Sequence, residues 1–413
     1  MSKLKVKLSL FINFFVIGIL LNSVGIVILQ VIDHYSVSKE AASILEAFKD
    51  LSIAIFSFLL ASSVPKFGYK RSMLFALIIV TAATLGMRFF DGFLMSKLMF
   101  ASIGFSFALI KVSAYSTVGI ITEGADEHAS LMSYLEGIFM IGVLSGYWIF
   151  GFFIEIESKG GVFSWLDTYW VLAGLCIIAF LILFTTKLDE SSVKKKGFNT
   201  LHEFLDMLAL IRFPLIILFV ISAFFYVLIE QSIQTWLPTF NAQVLYLPSS
   251  ISVQIVSILA GAIAIGRIGG GWIIKKLSWM TVLTGCLIGS IVLILLVIPL
   301  TIDLAPSSIE GWLSAPLAAF LLPLIGLFLG PIYPALSSSI LSVLPKNKQS
   351  AMTGLIVIFS ALGGTTGSVI TGTLFGMFDG QTAFYFSILP MVLLLITLLF
   401  YNRKRKTFVF KEI

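Results

Sequence analysis

The chain has 413 residues, of which 58% are hydrophobic and only 12% are charged, and its mean hydropathy is +1.05. Soluble domains carry about a quarter charged residues, so a soluble enzyme, a disordered protein and a disulfide-rich secreted domain are all excluded. The composition indicates an all-α membrane protein, and the length allows about twelve spans of roughly 20 apolar residues each.

The few cysteines and histidines form no pattern of metal ligands. Cys176 and Cys286 lie within apolar runs, and the three histidines lie in or near connecting segments. Although the formal net charge is +6, the basic residues form short clusters between apolar runs, which is typical of membrane topology signals and not of a nucleic-acid-binding stripe. We therefore expect no cofactor, no metal and no nucleic-acid partner.

Twelve apolar windows follow one another along the chain and predict twelve transmembrane helices. The first six lie at about 8–32, 40–64, 72–90, 95–121, 129–154 and 165–187, and the other six at about 211–238, 250–273, 279–300, 312–341, 350–376 and 380–402. The one long polar connection separates them. It predicts four parts, which are an N-terminal six-helix bundle (1–187), a cytoplasmic linker (188–210), a C-terminal six-helix bundle (211–402) and a cytoplasmic tail (403–413).

Basic residues are distributed unevenly over the two sides that twelve spans would create. Of the 27 lysines and arginines, twenty fall on one side, four on the other, and Lys49, Lys111 and Arg267 fall within or at the ends of spans. Because cytoplasmic loops carry the excess of such residues, both termini are expected to be cytoplasmic. The expected location is the cytoplasmic (inner) membrane, which the chain crosses many times.

Two equivalent connections repeat a pattern of glycines and basic residues. The one after the second predicted helix contains Pro65-Lys-Phe-Gly-Tyr-Lys-Arg71, and the one after the eighth contains Gly266-Arg-Ile-Gly-Gly-Gly-Trp-Ile-Ile-Lys-Lys276. Two six-helix halves related in this way are the plan of a rocking transporter. The repeat predicts a cytoplasmic gate formed by Lys66, Gly68, Lys70, Arg71, Arg267, Gly271 and Lys275.

This arrangement resembles the major facilitator superfamily over nearly the whole chain. Gly68, Lys70 and Arg71 fit the loop motif of that family, but Pro65 stands where the family has aspartate. The segments 225–240 and 326–334 resemble the seventh and tenth helices of its fucose/glucose-permease-like group. The resemblance implies two six-helix pseudo-repeats, alternating access and proton-coupled uptake of a small polar solute, and the missing aspartate puts the usual charge-relay latch in doubt in the first repeat.

The second predicted helix carries three ionisable residues where hydrocarbon would penalise them. Glu46, Lys49 and Asp50 are spaced i, i+3 and i+4, so they share one helix face. One interpretation is a self-neutralising cluster at the mouth of a cavity, with Lys49 extending outward. The other is that Glu46 or Asp50 is the proton carrier, with Lys49 as a substrate-binding candidate beside it.

A second set of charges lies in the fourth and fifth predicted helices. Lys111 and Glu136 are expected at comparable depth, because a short loop joins their helices. They could form a structural ion pair. Alternatively Lys111, with Tyr115 one turn further on, faces the central cavity and binds either Glu136 or an anionic substrate.

The seventh predicted helix carries Glu230 and a group of polar residues. Glu230, like Glu136 of the fifth helix, is a further proton-coupling candidate. Gln231, Gln234 and Trp236 suit a hydroxylated ligand, because amides bond hydroxyls and an indole stacks on a sugar face. The competing interpretation is hydrogen bonding between helices. Two weaker substrate-binding candidates lie in the first helix, Asn22 and Gln30.

Motifs of ATP-driven and hydrolytic proteins are missing from the sequence. It has no phosphate-binding loop, no HExxH and no GxSxG. We expect a monomeric secondary active transporter and not an enzyme, which moves a sugar-like solute or organic acid by alternating access, as a proton symporter. The alternatives are a proton-coupled exporter of a metabolite or drug and, from another class, a membrane receptor that does not transport.

Overall fold

The computed structural model describes residues 3–61, 64–122, 125–190, 207–274, 276–302, 304 and 311–407. All regular structure within these ranges is helical. The predicted all-α fold class is therefore confirmed.

Six spans make up the N-terminal half, and the first of them consists of two consecutive helices. Their helices are Lys3–Asn22 and Val24–His34 (first span), Lys39–Ala61 (second), Tyr69–Phe89 (third), Phe93–Ile121 (fourth), Ala125–Ser158 (fifth) and Thr168–Thr185 (sixth). A short helix, Val64–Phe67, precedes the third span.

Six further spans follow the central connection, and the tenth is the most interrupted of these. Their helices are Pro214–Gln243 (seventh span), Ser249–Ile274 (eighth), Trp279–Val297 (ninth), Leu317–Leu321, Ile325–Leu329 and Ile332–Leu341 (tenth), Lys346–Met377 (eleventh) and Gly380–Phe386 with Ile388–Lys406 (twelfth). The interruptions of the tenth span fall at prolines, which lack the N–H of a helical hydrogen bond. Pro323 lies in the first break and Pro331 in the second.

Eleven stretches of the described residues are long and apolar enough to cross a membrane. The second span is not one of them, although Lys39–Ala61 has 23 residues, because Glu46, Lys49 and Asp50 interrupt its apolar stretch with three charges. Together these helices give the twelve spans that the sequence predicts. They confirm the expected membrane fold.

The chain divides by packing into two compact units, Met1–Ser36 with Leu45–Thr200, and Val37–Ile44 with Leu201–Ile413. In the first unit, the first span packs against the fifth and sixth, and the third span packs against the fourth and sixth. In the second unit, the seventh span packs against the eleventh and twelfth.

The second and fourth spans approach closely where the second span carries its charges. A Cβ atom at Gly104 would overlap the Lys49 carbonyl oxygen and would lie 2.8 Å from the Cβ atom of Ser52. Only glycine leaves room for this backbone contact. The charged turn of the second span is therefore held against the fourth span.

Candidate functional site

Glu46, Lys49 and Asp50 form one buried cluster in the N-terminal unit. Their exposed fractions are 0%, 4% and 8%. The Lys49 ammonium donates a hydrogen bond to Glu46 Oε1 and lies 3.5 Å from Asp50 Oδ1. The lysine is thus held between two carboxylates and does not extend outward.

The charge of this cluster does not balance when all three groups are ionised. Two carboxylates and one ammonium carry a net charge of −1. Burying a net charge is costly, whereas a single added proton makes the three side chains neutral together. The arrangement can therefore hold one exchangeable proton.

Lys111 lies on an aromatic face of the fourth span. Its ammonium is 5.2 Å from the ring centre of Phe107 and 5.6 Å from that of Tyr115, one turn before and one turn after it. Phe14 of the first span stacks on Tyr115 at 6.0 Å. Cation–π contacts of this kind hold an ammonium group in place without neutralising it.

Glu136 of the fifth span accepts a hydrogen bond from the hydroxyl of Tyr115. In the described part of the chain, the ion pairs do not include one between Lys111 and Glu136. The Tyr115 hydroxyl bonds the carboxylate, and the Lys111 side-chain nitrogen lies over the aromatic rings. Both Lys111 and Glu136 are exposed.

Glu230 lies near the middle of the seventh span in the C-terminal unit. Its Oε1 atom accepts a hydrogen bond from Tyr226 at 2.9 Å and lies 3.7 Å from Nη2 of Arg267 in the eighth span. The sequence predicts a gate role for Arg267 but does not predict its contact with Glu230. Tyr226 was missed as well, although its position four residues before Glu230 places it on the same face.

Trp236 points into the C-terminal bundle. It is completely buried, its indole N–H donates to the carbonyl of Ser368 at 3.0 Å, and its ring stacks on Phe375 at 5.4 Å. These contacts use the donor and one ring face for packing. Gln231 and Gln234, on the same helix, are half-buried.

The two amides of the first span differ in their surroundings. Asn22 donates to the carbonyl of Gly18 in its own helix at 3.1 Å. Gln30 is 8% exposed, and its Nε2 atom has no hydrogen-bond partner among the described residues. Of these two candidates, Gln30 has the free donor.

The start of the third span is capped by a carboxylate that follows the sixth span, at the end of the N-terminal half. Glu190 accepts from the backbone N–H groups of Tyr69 at 3.1 Å and Lys70 at 2.7 Å. Gly68 precedes them with a φ of +98°, and a Cβ atom there would lie 2.7 Å from Glu190 Oε2. Pro65 leaves the family's aspartate position without a carboxylate, and no local spacing points to Glu190.

The other predicted gate residues lie on the surface. Lys66, Arg71 and Gly271 are exposed. The Lys70 ammonium donates a hydrogen bond to the carbonyl oxygen of Phe184 at 2.8 Å. Lys275 lies outside the described residues.

The described residues therefore contain three sets of intramembrane ionisable groups, each with a different partner type. One set is a buried acid–lysine–acid cluster, one is an exposed face with a lysine over aromatic rings, and one is a glutamate between a tyrosine and an arginine. No group of His, Cys, Asp and Glu residues that could hold a metal ion occurs in the described ranges. Proton binding and polar-solute binding are the chemistry that such groups can perform.

Comparisons with solved structures agree on the fold. A bacterial homologue of the human lysosomal transporter Spinster, in an inward-facing and unoccupied conformation, is 17% identical with a TM-score of 0.71, covering 99% of this chain and 98% of that chain. The nucleoside transporter NupG is 16% identical with a TM-score of 0.74, covering 98% and 100%. FucP in the outward conformation is 14% identical with a TM-score of 0.60, covering 95% and 97%.

No curated protein sequence matches the chain. The family model described as Major Facilitator Superfamily matches residues 10–322. That range is well over half of the chain, and the three solved structures described above are those of transporters. The chain belongs to the Major Facilitator Superfamily and is a membrane transporter.

Proposed function

We propose that this transporter couples the movement of a proton to that of a small polar solute, sugar-like or an organic acid, as a symporter in the cytoplasmic membrane. The observation that carries the proposal is the buried cluster of Glu46, Lys49 and Asp50. Its two carboxylates share one lysine, so the cluster is neutral only with one added proton. A group that is buried in one conformation and reaches water in another can carry that proton across.

Of the two carboxylates, Asp50 is better suited than Glu46 to carry the proton. Glu46 is fully buried and hydrogen-bonded to Lys49, whereas Asp50 lies 3.5 Å from the lysine and is 8% exposed. A weaker contact and a position nearer to water both lower the barrier to proton exchange. Glu46 then fixes the lysine that Asp50 faces.

The exposed face of Lys111, Tyr115 and Glu136 supports contact with the solute. Ionisable groups within spans avoid hydrocarbon and line interior or water-filled surfaces. Lys111 suits a carboxylate, and its neighbouring ring of Phe107 suits the apolar side of a sugar ring. Glu136 and the Tyr115 hydroxyl can bond solute hydroxyls, and Gln30 and Glu230 are further candidates for polar contacts and proton coupling.

The test uses purified protein in proteoliposomes. A thermal-shift screen against sugars, organic acids and amino acids identifies a ligand, because binding to the folded state alone raises apparent stability. With that solute, Asp50→Asn should retain counterflow exchange but lose accumulation driven by a pH gradient.

Glu155→Gln is the matched control, because Glu155 pairs with Lys159 near the end of the fifth span and its side chain is 42% exposed. It should accumulate solute as the wild type does. Full uptake driven by the pH gradient in both Asp50→Asn and Glu46→Gln would show that the cluster takes no part in proton coupling. Transport of the solute only outward, opposite to the direction of uptake, would favour the proton-coupled exporter.

A further inference from the structure

The hydroxyl of Tyr226 lies between two acceptors in the C-terminal unit. It is 2.9 Å from Glu230 Oε1 and 3.1 Å from the carbonyl oxygen of Leu329. Tyr226 is completely buried, so water cannot replace either partner. A phenol has one proton to donate, so it satisfies one of these acceptors at a time.

The protonation state of Glu230 decides which of the two acceptors receives the hydrogen bond of the Tyr226 hydroxyl. An ionised Glu230 only accepts, so it competes with Leu329 for the Tyr226 proton and also attracts Arg267, 3.7 Å away. When a proton binds to Glu230, the new O–H group can donate to the Tyr226 oxygen. Tyr226 is then free to donate to Leu329, and the attraction of Arg267 to a negative charge ends.

Leu329 lies at a break between two helices of the tenth span. It is the last residue of the helix Ile325–Leu329, and Pro331 follows before the helix Ile332–Leu341 begins. A backbone N of Arg267 lies 2.9 Å from the position that a Cβ atom of Gly330 would take. The break therefore packs directly against the turn of the eighth span that carries Arg267.

We propose that Glu230, Tyr226 and the Leu329 carbonyl form a proton-linked lock on the break in the tenth span. With Glu230 protonated, Tyr226 ties the seventh span to the break. With Glu230 ionised, Tyr226 turns to the carboxylate and the break is released. The inference adds a second proton site to the proposed function, on which it rests for the existence of proton coupling.

The surroundings of Glu230 contain few other groups that could titrate in its place. The eighth span contributes Arg267, and the tenth span contributes Tyr333, which stacks on Tyr226 at 5.6 Å. The basic residues of the eleventh span lie at its start, and those of the twelfth span lie in its last turn. Arg212 precedes the seventh span, and Tyr385 lies in the first helix of the twelfth.

The lock can be tested without a solute. Hydrogen exchange of peptides covering 325–341, corrected for the intrinsic effect of pH, should slow when the pH is lowered in the wild-type protein in lipid nanodiscs. Tyr226→Phe should exchange roughly three- to tenfold faster at low pH, as expected for one hydrogen bond, and should lose the dependence on pH. Glu230→Gln, whose amide can donate to Tyr226, should stay slow at every pH.

Tyr333→Phe is the control, because it removes a neighbouring phenol whose hydroxyl pairs with Ser360 at 3.4 Å. It should keep the wild-type dependence on pH. If Tyr226→Phe keeps that dependence too, or if wild-type exchange does not change with pH, there is no lock. The two proposals can also fail separately. If the lock is found but the Asp50 and Glu46 variants keep full uptake driven by the pH gradient, the proton-carrying role of the cluster is refuted and the lock is not.

Discussion

The Tyr115 hydroxyl of the fourth span donates a hydrogen bond to Glu136 of the fifth span, and the Lys111 side-chain nitrogen lies over two aromatic rings. A structural ion pair between Lys111 and Glu136 is one of two interpretations of the sequence, and the ion pairs of the described residues do not include it. A lysine that lies over aromatic rings and has no carboxylate partner among the described ion pairs is suited to bind an anionic or hydroxylated group.

Replacing Tyr115 by phenylalanine should weaken solute binding. Glu136 loses its donor and becomes free to approach Lys111, which competes with the solute. A hydrogen bond to a charged group contributes about 1.5–3 kcal/mol, so we expect KM to rise by roughly ten- to a hundredfold with a smaller change in kcat. Tyr134→Phe is the control, since Tyr134 is 65% exposed. Equal KM values for the two variants would contradict the assignment.

Replacing Lys49 by methionine should destabilise the protein by about 3–5 kcal/mol, because it leaves two carboxylates buried without their cation. The loss should appear as a lower Tm in detergent. The double variant Glu46→Gln with Lys49→Met should recover part of it, because one negative charge is then removed. Lys97→Met is the control, since the Lys97 side chain is only half-buried and its ammonium lies 4.4 Å from the ring centre of Phe93. A double variant less stable than Lys49→Met would refute the charge argument.

Glu190 should stabilise the start of the third span. Removing a side-chain acceptor from a helix N-terminus costs about 0.5–2 kcal/mol, and we expect a loss in this range for Glu190→Ala. Gly68→Ala should cost at least as much, because alanine disfavours a φ of +98° and its Cβ atom would lie 2.7 Å from Glu190 Oε2. Thermal unfolding of both variants measures these losses. The idea fails if Glu190→Ala unfolds at the wild-type temperature.

The loop after the third span should make stability depend on acid pH. The hydrogen bond from Tyr35, at 2.6 Å, lowers the pKa of Asp91 below its ordinary value of 3.8, and His34 adds to this effect. A lowered pKa in the folded state means that Asp91 contributes stability above the ordinary value and loses it as the pH falls further.

Tyr35→Phe should therefore lower Tm at neutral pH by no more than about 2–4 °C, since Asp91 is partly exposed. The difference from the wild type should shrink as the pH falls below about 4. Thermal unfolding over this range provides the measurement. A difference that is unchanged in acid would show that Tyr35 acts through packing and not through Asp91.

The sequence by itself determined the twelve spans and the places where charges lie within them. Hydrocarbon requires about 20 apolar residues per helix, so each span and each misplaced charge is visible in the chain. Local spacing also determined the cluster of Glu46, Lys49 and Asp50, because residues three and four apart share a helix face.

Only the tertiary structure decided which partner each remaining charge takes. Tyr115 meets Glu136 across two spans, Arg267 meets Glu230, and Glu190 meets a helix start 121 residues earlier. Such pairs depend on how helices pack and turn about their axes, which helical periodicity does not specify. For the same reason Trp236, a candidate ligand contact by composition, turns inward to pack on Phe375.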